Sequence, residues 1–357
     1  MQKELKIHRS DKPIFIMMVG LAGSGKSTCS ENISIVDNMG SVHKPERHSS
    51  DALRLEMFGD ERDQEHHQEI FTELHKRIKE DLRNGKDVVY DATNINKKRR
   101  AAFLRELHRI DCSKVCVCVM TPYSVCLKRN EERERTIPEN AIKKMYMNWT
   151  PPHTHEGFDA VIPVFAFNEE WLAKRYDVEE LFERLNAIDQ ENRHHTLTIG
   201  DHCTEAASYV LKKHCGNRNL EVATLLHDIG KEFCKTYVNS KGECDGEAHY
   251  YQHQCVGAYD SMFYLKKSNF DNKDILYVSN LIYYHMHPHV AWKQSQKAAD
   301  RDKRMIGDEM FADIEKLHEA DLYAHIPANE FQRTVRVEEI LNREGEEEID
   351  REQQRIK

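Results

Sequence analysis

Residues 14–28, IFIMMVGLAGSGKST, decide how the N-terminal half of this 357-residue chain folds. The stretch from Gly20 to Thr28 matches the phosphate-binding pattern GxxxxGK[ST] at every defined position. It also has the required context, because an apolar strand-like run precedes it and a helix-like run follows it. Glycines let a backbone wrap closely around phosphate groups, and the N–H groups of such a loop point inward at the start of the helix. The stretch therefore predicts a P-loop; the alternative is a glycine-rich turn without a ligand.

The P-loop predicts a nucleoside triphosphate, ATP or GTP, bound with Mg²⁺. We take ATP as the cofactor. Lys26 is expected to reach the β- and γ-phosphates, and the Ser27 hydroxyl is expected to bind the magnesium ion. The loop residues predicted to bind the nucleotide are Gly20, Gly23, Ser24, Gly25, Lys26, Ser27 and Thr28.

Strand-like and helix-like runs alternate in the first half of the chain. Apolar runs at 14–20, 87–93, 114–120 and 160–167 predict strands, and 27–37, 64–84, 97–109 and 139–149 predict helices. Near-continuous apolar strands that alternate with helices indicate an α/β domain with a parallel sheet and helices on both faces. From about residue 186 apolar spacings of three and four dominate, as in 203–214, 220–234 and 309–325, which predicts an all-α domain. We place the domains at 1–187 and 188–345, followed by a charged tail at 346–357.

Composition predicts a cytoplasmic protein with no membrane contact. Hydrophobic residues make up 39% and charged residues 32% of the chain, and no apolar run reaches the length of a membrane span. The ten cysteines show no repeated spacing that would indicate a disulfide framework or a zinc site. Residues 1–150 carry 27 basic and 23 acidic side chains, whereas the remainder carries 25 and 38. Contact with nucleic acid is therefore expected in a local groove and not over a basic surface.

Two carboxylates are candidates for the chemistry beside the P-loop. Phosphoryl transfer to an alcohol needs a group that accepts the hydroxyl proton, and Asp51 is a candidate. Its local pattern favours a helix N-cap instead, with Arg54 one turn on along the same helix face. Asp91 ends a predicted buried strand, where it would face the ligand crevice and orient magnesium, water or the acceptor; the alternative is a turn-forming aspartate.

Two basic segments suit an anionic ligand. Residues 97–100, KKRR, begin a predicted helix, where cations oppose the helix dipole, so either an anion or simple solvation explains them. Residues 127–149 carry Arg129, Arg133 and Arg135. Arg129 and Arg133 are spaced i, i+4, which suits a lid over the triphosphate as well as a salt-bridged surface helix.

These motifs together resemble the phage-type polynucleotide 5′-kinase over residues 14–167. The matching elements are the P-loop, the D-x-x-R of Asp51 and Arg54, the DATN at 91–94, the R-N-x-x-R that precedes Ile-Pro-Glu, and PPHTHEGFDAVIPV. The resemblance implies that Asp51 is the general base on the 5′-hydroxyl and that Arg54 binds the phosphate of the acceptor. It also implies that Arg133 is a lid arginine on the donor phosphates, with Arg129 beside the nucleotide and with Asp91 and Asn94 near the acceptor. Small-molecule kinases share several of these elements, so the acceptor stays open.

Histidines and aspartates at apolar borders mark the second half. His202 lies in HTLTIGDHC, His227 and Asp228 lie in ATLLHDIGK, and Asp321 lies in LHEADLYAH. Mixed imidazole and carboxylate ligands on separate helices suit a divalent transition metal such as Mn²⁺, Ni²⁺, Co²⁺, Fe²⁺ or Zn²⁺. The alternative is a helical domain without a metal.

The order H…HD…D resembles the HD-domain metal-dependent phosphohydrolases over residues 194–325. The resemblance implies that His202, His227, Asp228 and Asp321 bind one metal. His253 and His285 match positions that complete a second metal site in two-metal members, or they bind substrate phosphate; His287 and His289 are rivals of His285. Lys231 and His195 are further candidates for phosphate contacts.

The two resemblances together imply an enzyme that heals nucleic-acid ends in RNA repair. The kinase half phosphorylates 5′-hydroxyl ends of RNA or DNA with ATP, and the second half hydrolyses 2′,3′-cyclic or terminal phosphates. Such an enzyme would act alongside a nucleic-acid ligase. One alternative is a nucleoside or small-metabolite kinase fused to an HD nucleotidase, and the other is an HD phosphohydrolase gated by ATP.

Overall fold

The computed structural model describes residues 4–61, 65–133, 136–167, 171–172, 174–325 and 337–342. Gln64 of the predicted helix 64–84, Arg135 of the predicted lid and the predicted tail 346–357 lie outside these ranges. The chain divides into two compact units, Met1–Tyr146 with Pro152–Phe167, and Met147–Pro151 with Asn168–Lys357.

A parallel sheet forms the centre of the N-terminal unit. The strands of this unit are β1 (Leu5–His8), β2 (Ile14–Val19), β3 (Ile33–Val36), β4 (Val42–His43), β5 (Glu46–Ser49), β6 (Val88–Asp91), β7 (Ser113–Met120) and β8 (Ala160–Phe165). The central sheet has the order β5-β6-β2-β7-β8, and all of its neighbours pair in parallel. Every residue of β2 is buried, as expected for a strand covered on both faces. The predicted α/β domain with a parallel sheet is confirmed.

Helices connect these strands. They are α1 (Lys26–Glu31), α2 (Ser50–Phe58), α3 (His67–Arg83), α4 (Lys97–Glu106), α5 (Tyr123–Glu131) and α6 (Glu139–Met147). α3 buries Ile70, Leu74, Ile78 and Leu82, and this spacing of four places them on one face of the helix. The P-loop joins β2 to α1, which places it at the carboxyl end of a central strand, where open α/β sheets bind ligands.

The predicted helix at 27–37 is wrong in its second half. α1 ends at Glu31, and residues 33–36 form β3, which pairs in parallel with β1 and antiparallel with β4 in a separate three-stranded sheet. Ile33 and Ile35 pack in the core with Ile7 of β1. The β-branched residues of this segment suit a strand, but a pairing partner this close to the N-terminus is not evident from the local pattern.

The C-terminal unit is mainly helical. Its helices are α7 (Val178–Leu185), α8 (Ile199–Lys213), α9 (Arg218–Leu226), α10 (Lys231–Cys234), α11 (His253–Lys267), α12 (Asn272–Tyr284), α13 (Gln296–Ile306), α14 (Asp308–His325) and α15 (Val337–Asn342), with a π-helical turn at Pro288–Trp292. The sequence did not predict the antiparallel hairpin of β9 (Thr236–Val238) and β10 (Cys244–His249). α7 groups with this unit, whereas the predicted boundary at 187 assigns it to the first domain. None of the helices in the described ranges is long and apolar enough to cross a membrane.

Candidate functional site

The P-loop is held tightly against its neighbours. The Gly20 N–H donates to the Thr93 carbonyl at 3.0 Å. Gly23 has φ +80°, and a Cβ at this position would lie 2.4 Å from the Cys126 carbonyl oxygen. A side chain there would be both strained and blocked, so the position requires glycine.

Lys26 lies inside the loop with its ammonium group directed at its own backbone. Its Nζ donates to the Leu21 carbonyl at 2.7 Å, and the residue is 8% exposed. Burial lowers the pKa of Lys26, the charges of Asp91 and Asp51 raise it, and that of Arg133 lowers it further. Among the described residues the buried Ser24 hydroxyl has no hydrogen-bond partner. A buried cation and an unused hydroxyl in a glycine cradle fit the phosphates of a nucleotide.

The phosphate cavity, of about 700 Å³, opens at this loop. Its lining includes several of the predicted site residues, namely Gly23, Gly25, Lys26, Ser27, Asp51, Arg54, Asp91 and Arg133. Four separate segments of the chain supply these side chains, and the carboxyl ends of β2 and β6 bring two of the segments together. Thr28 lies at the exposed start of α1 and does not line the cavity.

Asp51 is not the N-cap of α2, contrary to the interpretation that its local pattern favours. Ser49 is the N-cap, and its side chain accepts a hydrogen bond from the Ala52 N–H. Asp51 lies in the first turn with its side chain 58% exposed, and Arg54 Nη1 donates to its Oδ1 at 2.6 Å. Arg54 itself is 6% exposed, and its Nε is buried without an acceptor among the described residues. The Asp51–Arg54 pair therefore combines an accessible carboxylate with a mostly buried guanidinium.

Asp91 is buried at the end of β6 and is already paired. Arg47 Nη2 donates to its Oδ2 at 2.6 Å, and the Ser30 hydroxyl donates to the same oxygen at 3.1 Å. Arg47 was not predicted as a site residue, because its segment does not look like a strand. Arg47 lies in β5, which pairs with β6 and places the guanidinium beside Asp91.

Only part of the basic cluster 97–100 remains available to a ligand. Arg100 is buried and forms a bidentate pair with Glu156, at 2.7 and 2.8 Å, so the protein interior accounts for this cation. Lys98 and Arg99 are exposed, and Arg99 lines the phosphate cavity. Asn94 has φ 44° and donates through Nδ2 to the Met18 carbonyl at 2.9 Å, so its amide ties the end of β2 in place.

The two predicted lid arginines lie in different surroundings. Arg129 donates to the carbonyl oxygens of Ser24 and Ala166, at 3.3 and 2.8 Å, which fixes it behind the P-loop. Arg133 is exposed beyond the end of α5 and lines the phosphate cavity. Arg133 can therefore reach a transferring phosphate, whereas Arg129 braces the loop that holds it.

A cluster of histidines and aspartates lies inside the C-terminal unit, where α8, α14 and the end of α9 meet. Ligand atoms of His202, His227, Asp228 and Asp321 all lie within 4.8 Å of one another, and all four residues are buried. The Nε2 atom of His202 lies 3.0 Å from Asp321 Oδ1, 3.2 Å from His227 Nε2 and 3.4 Å from Asp228 Oδ2.

A second cluster, of His253 and His285, shares Asp228 with the first. His253 Nε2 lies 3.2 Å from Asp228 Oδ1 and 3.1 Å from His285 Nε2. Asp228 therefore directs one oxygen to each cluster, as a carboxylate that bridges two ions does. The rival His287 donates through Nδ1 to Asp302 at 3.0 Å and does not belong to the cluster.

The tautomers of these histidines are fixed by the backbone. The Nδ1 atoms of His202, His227, His253 and His285 lie 2.6 to 3.1 Å from carbonyl oxygens, which can only accept, so each Nδ1 carries the proton. In the neutral rings the Nε2 lone pairs of His202 and His227 face each other, and so do those of His253 and His285. Facing lone pairs repel unless a cation lies between them. The side chains therefore fit divalent metal ions, with the outer hydrogen bonds that metal-binding histidines require.

Lys231 and His195 border this centre. Lys231 Nζ lies 2.6 Å from Asp228 Oδ2 and 3.4 Å from His195 Nε2, and it donates to Gln190 Oε1 at 2.7 Å. Burial acts to raise the pKa of Asp228, but the charge of Lys231 holds it well below its usual value. Burial lowers the pKa of His195 to about 2, so its ring is neutral. His325 also borders this centre, and its Nε2 lies 3.3 Å from Asp321 Oδ1. It was not predicted from the sequence, although its spacing of four from Asp321 on a helix indicated that the two side chains are neighbours.

Comparison with known proteins finds a family similar to the N-terminal part of the chain. Residues 15–152 match the family described as "AAA domain". The L-seryl-tRNA(Sec) kinase of Methanococcus maripaludis is 30% identical over 122 residues, which are 34% of this chain and 45% of that protein. The chain thus spans less than half the length of this curated relative.

Three solved structures match part of the chain. A chain of the Pnkp1/Rnl/Hen1 RNA repair complex is 23% identical with a TM-score of 0.32, over 38% of this chain and 44% of that one. A putative kinase from Chloroflexus aurantiacus (15%, TM-score 0.34) and a gluconokinase from Sinorhizobium meliloti (19%, TM-score 0.30) each cover 44% of this chain, and 88% and 84% of their own. The family match at residues 15–152 and the curated relative thus make this chain similar to P-loop kinases.

Proposed function

We propose that this protein heals nucleic-acid ends: it phosphorylates 5′-hydroxyl ends with ATP and removes 2′,3′-cyclic or terminal phosphates at a metal centre. One observation carries the kinase half, namely that a single cavity joins Lys26 of the P-loop to the accessible Asp51 carboxylate and its partner Arg54. The second half is proposed to be an HD-type phosphohydrolase. RNA or DNA ends are the substrates, and a nucleic-acid ligase would join the healed ends.

In the kinase reaction each side chain has a separate task. Bound Mg²⁺ supplies charge neutralisation on the transferring phosphates. Asp51 accepts the proton of the 5′-hydroxyl as the oxygen attacks the γ-phosphorus, the bond to the β-phosphate oxygen breaks and ADP leaves. Arg54 lines the same cavity, and its guanidinium binds the phosphate of the acceptor. Lys26 and Arg133 stabilise the charge that develops on the transferring group.

In the hydrolytic reaction the chain supplies a rigid, mostly buried ligand set. Bound divalent metal supplies Lewis acidity towards water and the phosphate ester. A set of imidazoles and carboxylates suits Mn²⁺, Ni²⁺, Co²⁺, Fe²⁺ or Zn²⁺. Lys231 and His195 stand beside Asp228, where the ammonium binds an ester phosphate and the neutral imidazole is a further hydrogen-bonding contact for it.

A hydroxyl carried on a complete tRNA is a second candidate acceptor. The relative that is 30% identical over 122 residues is named L-seryl-tRNA(Sec) kinase, and its acceptor hydroxyl is thus attached to RNA. The earlier alternatives, a small-metabolite kinase joined to a nucleotidase and an ATP-gated phosphohydrolase, predict a free nucleoside as the preferred acceptor or no phosphorylated acceptor at all.

Purified protein with γ-labelled ATP and four acceptors separates these functions. The acceptors are a 5′-hydroxyl RNA, a 5′-hydroxyl DNA, free nucleosides and seryl-tRNA. The proposed function predicts label on the oligonucleotides, and Lys26→Ala should abolish it. A matched assay with a 2′,3′-cyclic phosphate end tests the second half, with His227→Ala as the inactive control. Label on nucleosides or seryl-tRNA alone would overturn the proposed acceptor.

A further inference from the structure

A second cavity lies beside the phosphate cavity, on the acceptor side. The aromatic cavity, of about 520 Å³, lies between α3 and α4 over the carboxyl end of β6. Both cavities are lined by His67, Phe71 and Arg99, so they adjoin each other. The charges of Arg99 and Arg54 both act on His67, which places the acceptor arginine near the boundary between the cavities.

Flat rings form the wall and floor of the aromatic cavity. α3 contributes His67, Phe71 and His75, whose spacing of four places them along one stripe beside the buried core face of the helix. Phe71 and the two histidines are half-buried, so part of each ring faces the cavity. Tyr90 and Phe103 are buried beneath them, with His75 stacked on Phe103 at a centroid distance of 3.9 Å.

The charged side chains of the lining lie at the two ends of the aromatic cavity, and the rings between them are uncharged. Burial lowers the pKa of His75 to about 4 and also lowers the pKa of His67, so both rings are neutral near pH 7. At the far end Lys79 and Glu106 neutralise each other at 2.8 Å. Arg99, at the boundary with the phosphate cavity, is exposed. The cationic end therefore adjoins the phosphates, and the apolar end is flat and uncharged.

We propose that the aromatic cavity binds a nucleobase of the acceptor strand, stacked on Phe71, a role that rests on the proposed kinase function. A base has the required shape, and a pocket of this volume lies within the ordinary range for small ligands. Stacking on an aromatic ring tolerates any base. The exposed side chains of Gln68, Thr72 and Asn96 in the lining supply hydrogen-bonding groups for the base edges. The kinase thus recognises a nucleotide end and not merely a hydroxyl group.

Two matched oligonucleotides test this base site. One is a 5′-hydroxyl strand, and the other carries an abasic tetrahydrofuran residue at its 5′ end. Loss of one stacked base is expected to raise the oligonucleotide KM about five- to one-hundred-fold, with kcat little changed. Phe71→Leu keeps apolar volume but removes the flat ring, so it should raise the KM of the normal strand and reduce the ratio between the strands to about one. Phe71→Tyr should restore the ratio.

Lys76→Ala is the control on the same helix. Lys76 is exposed and lines neither cavity, so both KM values should stay at wild-type levels. Equal KM values for the two strands in the wild type would overturn the base site. A rise in the KM for ATP in Phe71→Leu would also overturn it, because the cavity would then hold the base of the donor.

A direct binding measurement separates this site from the proposed function. A strand with 2-aminopurine at its 5′ end should lose fluorescence on binding to the wild type and to Lys26→Ala, but not on binding to Phe71→Leu. Quenching without label transfer to any oligonucleotide would support the base site and overturn the kinase function. Transfer without quenching would leave the kinase function standing and overturn the base site.

Discussion

Asp228 is the residue on which the proposed metal centre depends most. Its two oxygens face different histidine pairs, and Lys231, which is 5% exposed, lies 2.6 Å from Oδ2. Asp228→Asn keeps the volume but removes the charge that both clusters share. We expect bound metal to fall from about two ions to near zero per chain, whereas His253→Ala should remove only one.

The same substitution leaves a buried cation without its counter-ion. Loss of one partner of a buried pair costs about 3–5 kcal/mol. Because Gln190 Oε1 still accepts from Lys231 at 2.7 Å, we expect the lower end, about 3 kcal/mol. Hydrogen exchange of the backbone amides of α9, measured in the presence of EDTA, gives the free energy of opening. This free energy should fall by the same amount. The double variant with Lys231→Met should recover stability without recovering metal.

Asp302→Asn is the matched control for Asp228→Asn. Asp302 is also a buried aspartate of this unit, and it accepts hydrogen bonds from His287 and Trp292 at 3.0 Å. The control should lose stability and keep its metal content. If Asp228→Asn retains two ions, Asp228 does not bridge the clusters. If the variant loses less than about 1 kcal/mol of stability in EDTA, Asp228 does not balance the charge of Lys231.

The kinase half allows three further predictions. Asp51→Asn should lower kcat about 100- to 10,000-fold with unchanged ATP affinity in a fluorescent-nucleotide assay; a rate within tenfold of wild type would exclude Asp51 as the base. Arg133→Ala should lower kcat about 100-fold or more and leave the oligonucleotide KM little changed; a change in KM alone would move Arg133 to the acceptor side. Gly23→Ala should abolish nucleotide binding by calorimetry, because its Cβ would lie 2.4 Å from the Cys126 carbonyl oxygen; normal affinity would show that the loop tolerates a shift.

The sequence predicts best where a local pattern has one meaning. The apolar run before Gly20 and the helix after it indicated the P-loop, and the alternation of apolar runs with helices indicated the parallel sheet; both are confirmed. The strand at 33–36 was missed because its stability comes from pairing with β1, a partner separated by more than twenty residues. Arg47 was missed for the same reason, since only the register of β5 against β6 places it beside Asp91.

Histidine positions show a different limit. Order along the chain indicated which residues could gather, but not the backbone carbonyls that fix each Nε2 towards the centre. It also gave no means of choosing His285 over His287, because that choice depends on which ring Asp302 engages. The aromatic cavity was likewise not predicted, because the local pattern does not show how α3 and α4 pack around the end of β6.

Transfer of label from γ-labelled ATP to a 5′-hydroxyl oligonucleotide tests the central proposal most directly. We expect a labelled strand from the wild type and no label from Lys26→Ala. That variant should retain phosphate-ester hydrolysis, because the proposed metal ligands all lie in the other unit. Hydrolysis of ATP with no labelled strand, or label on free nucleosides in preference to the strand, would contradict the proposal.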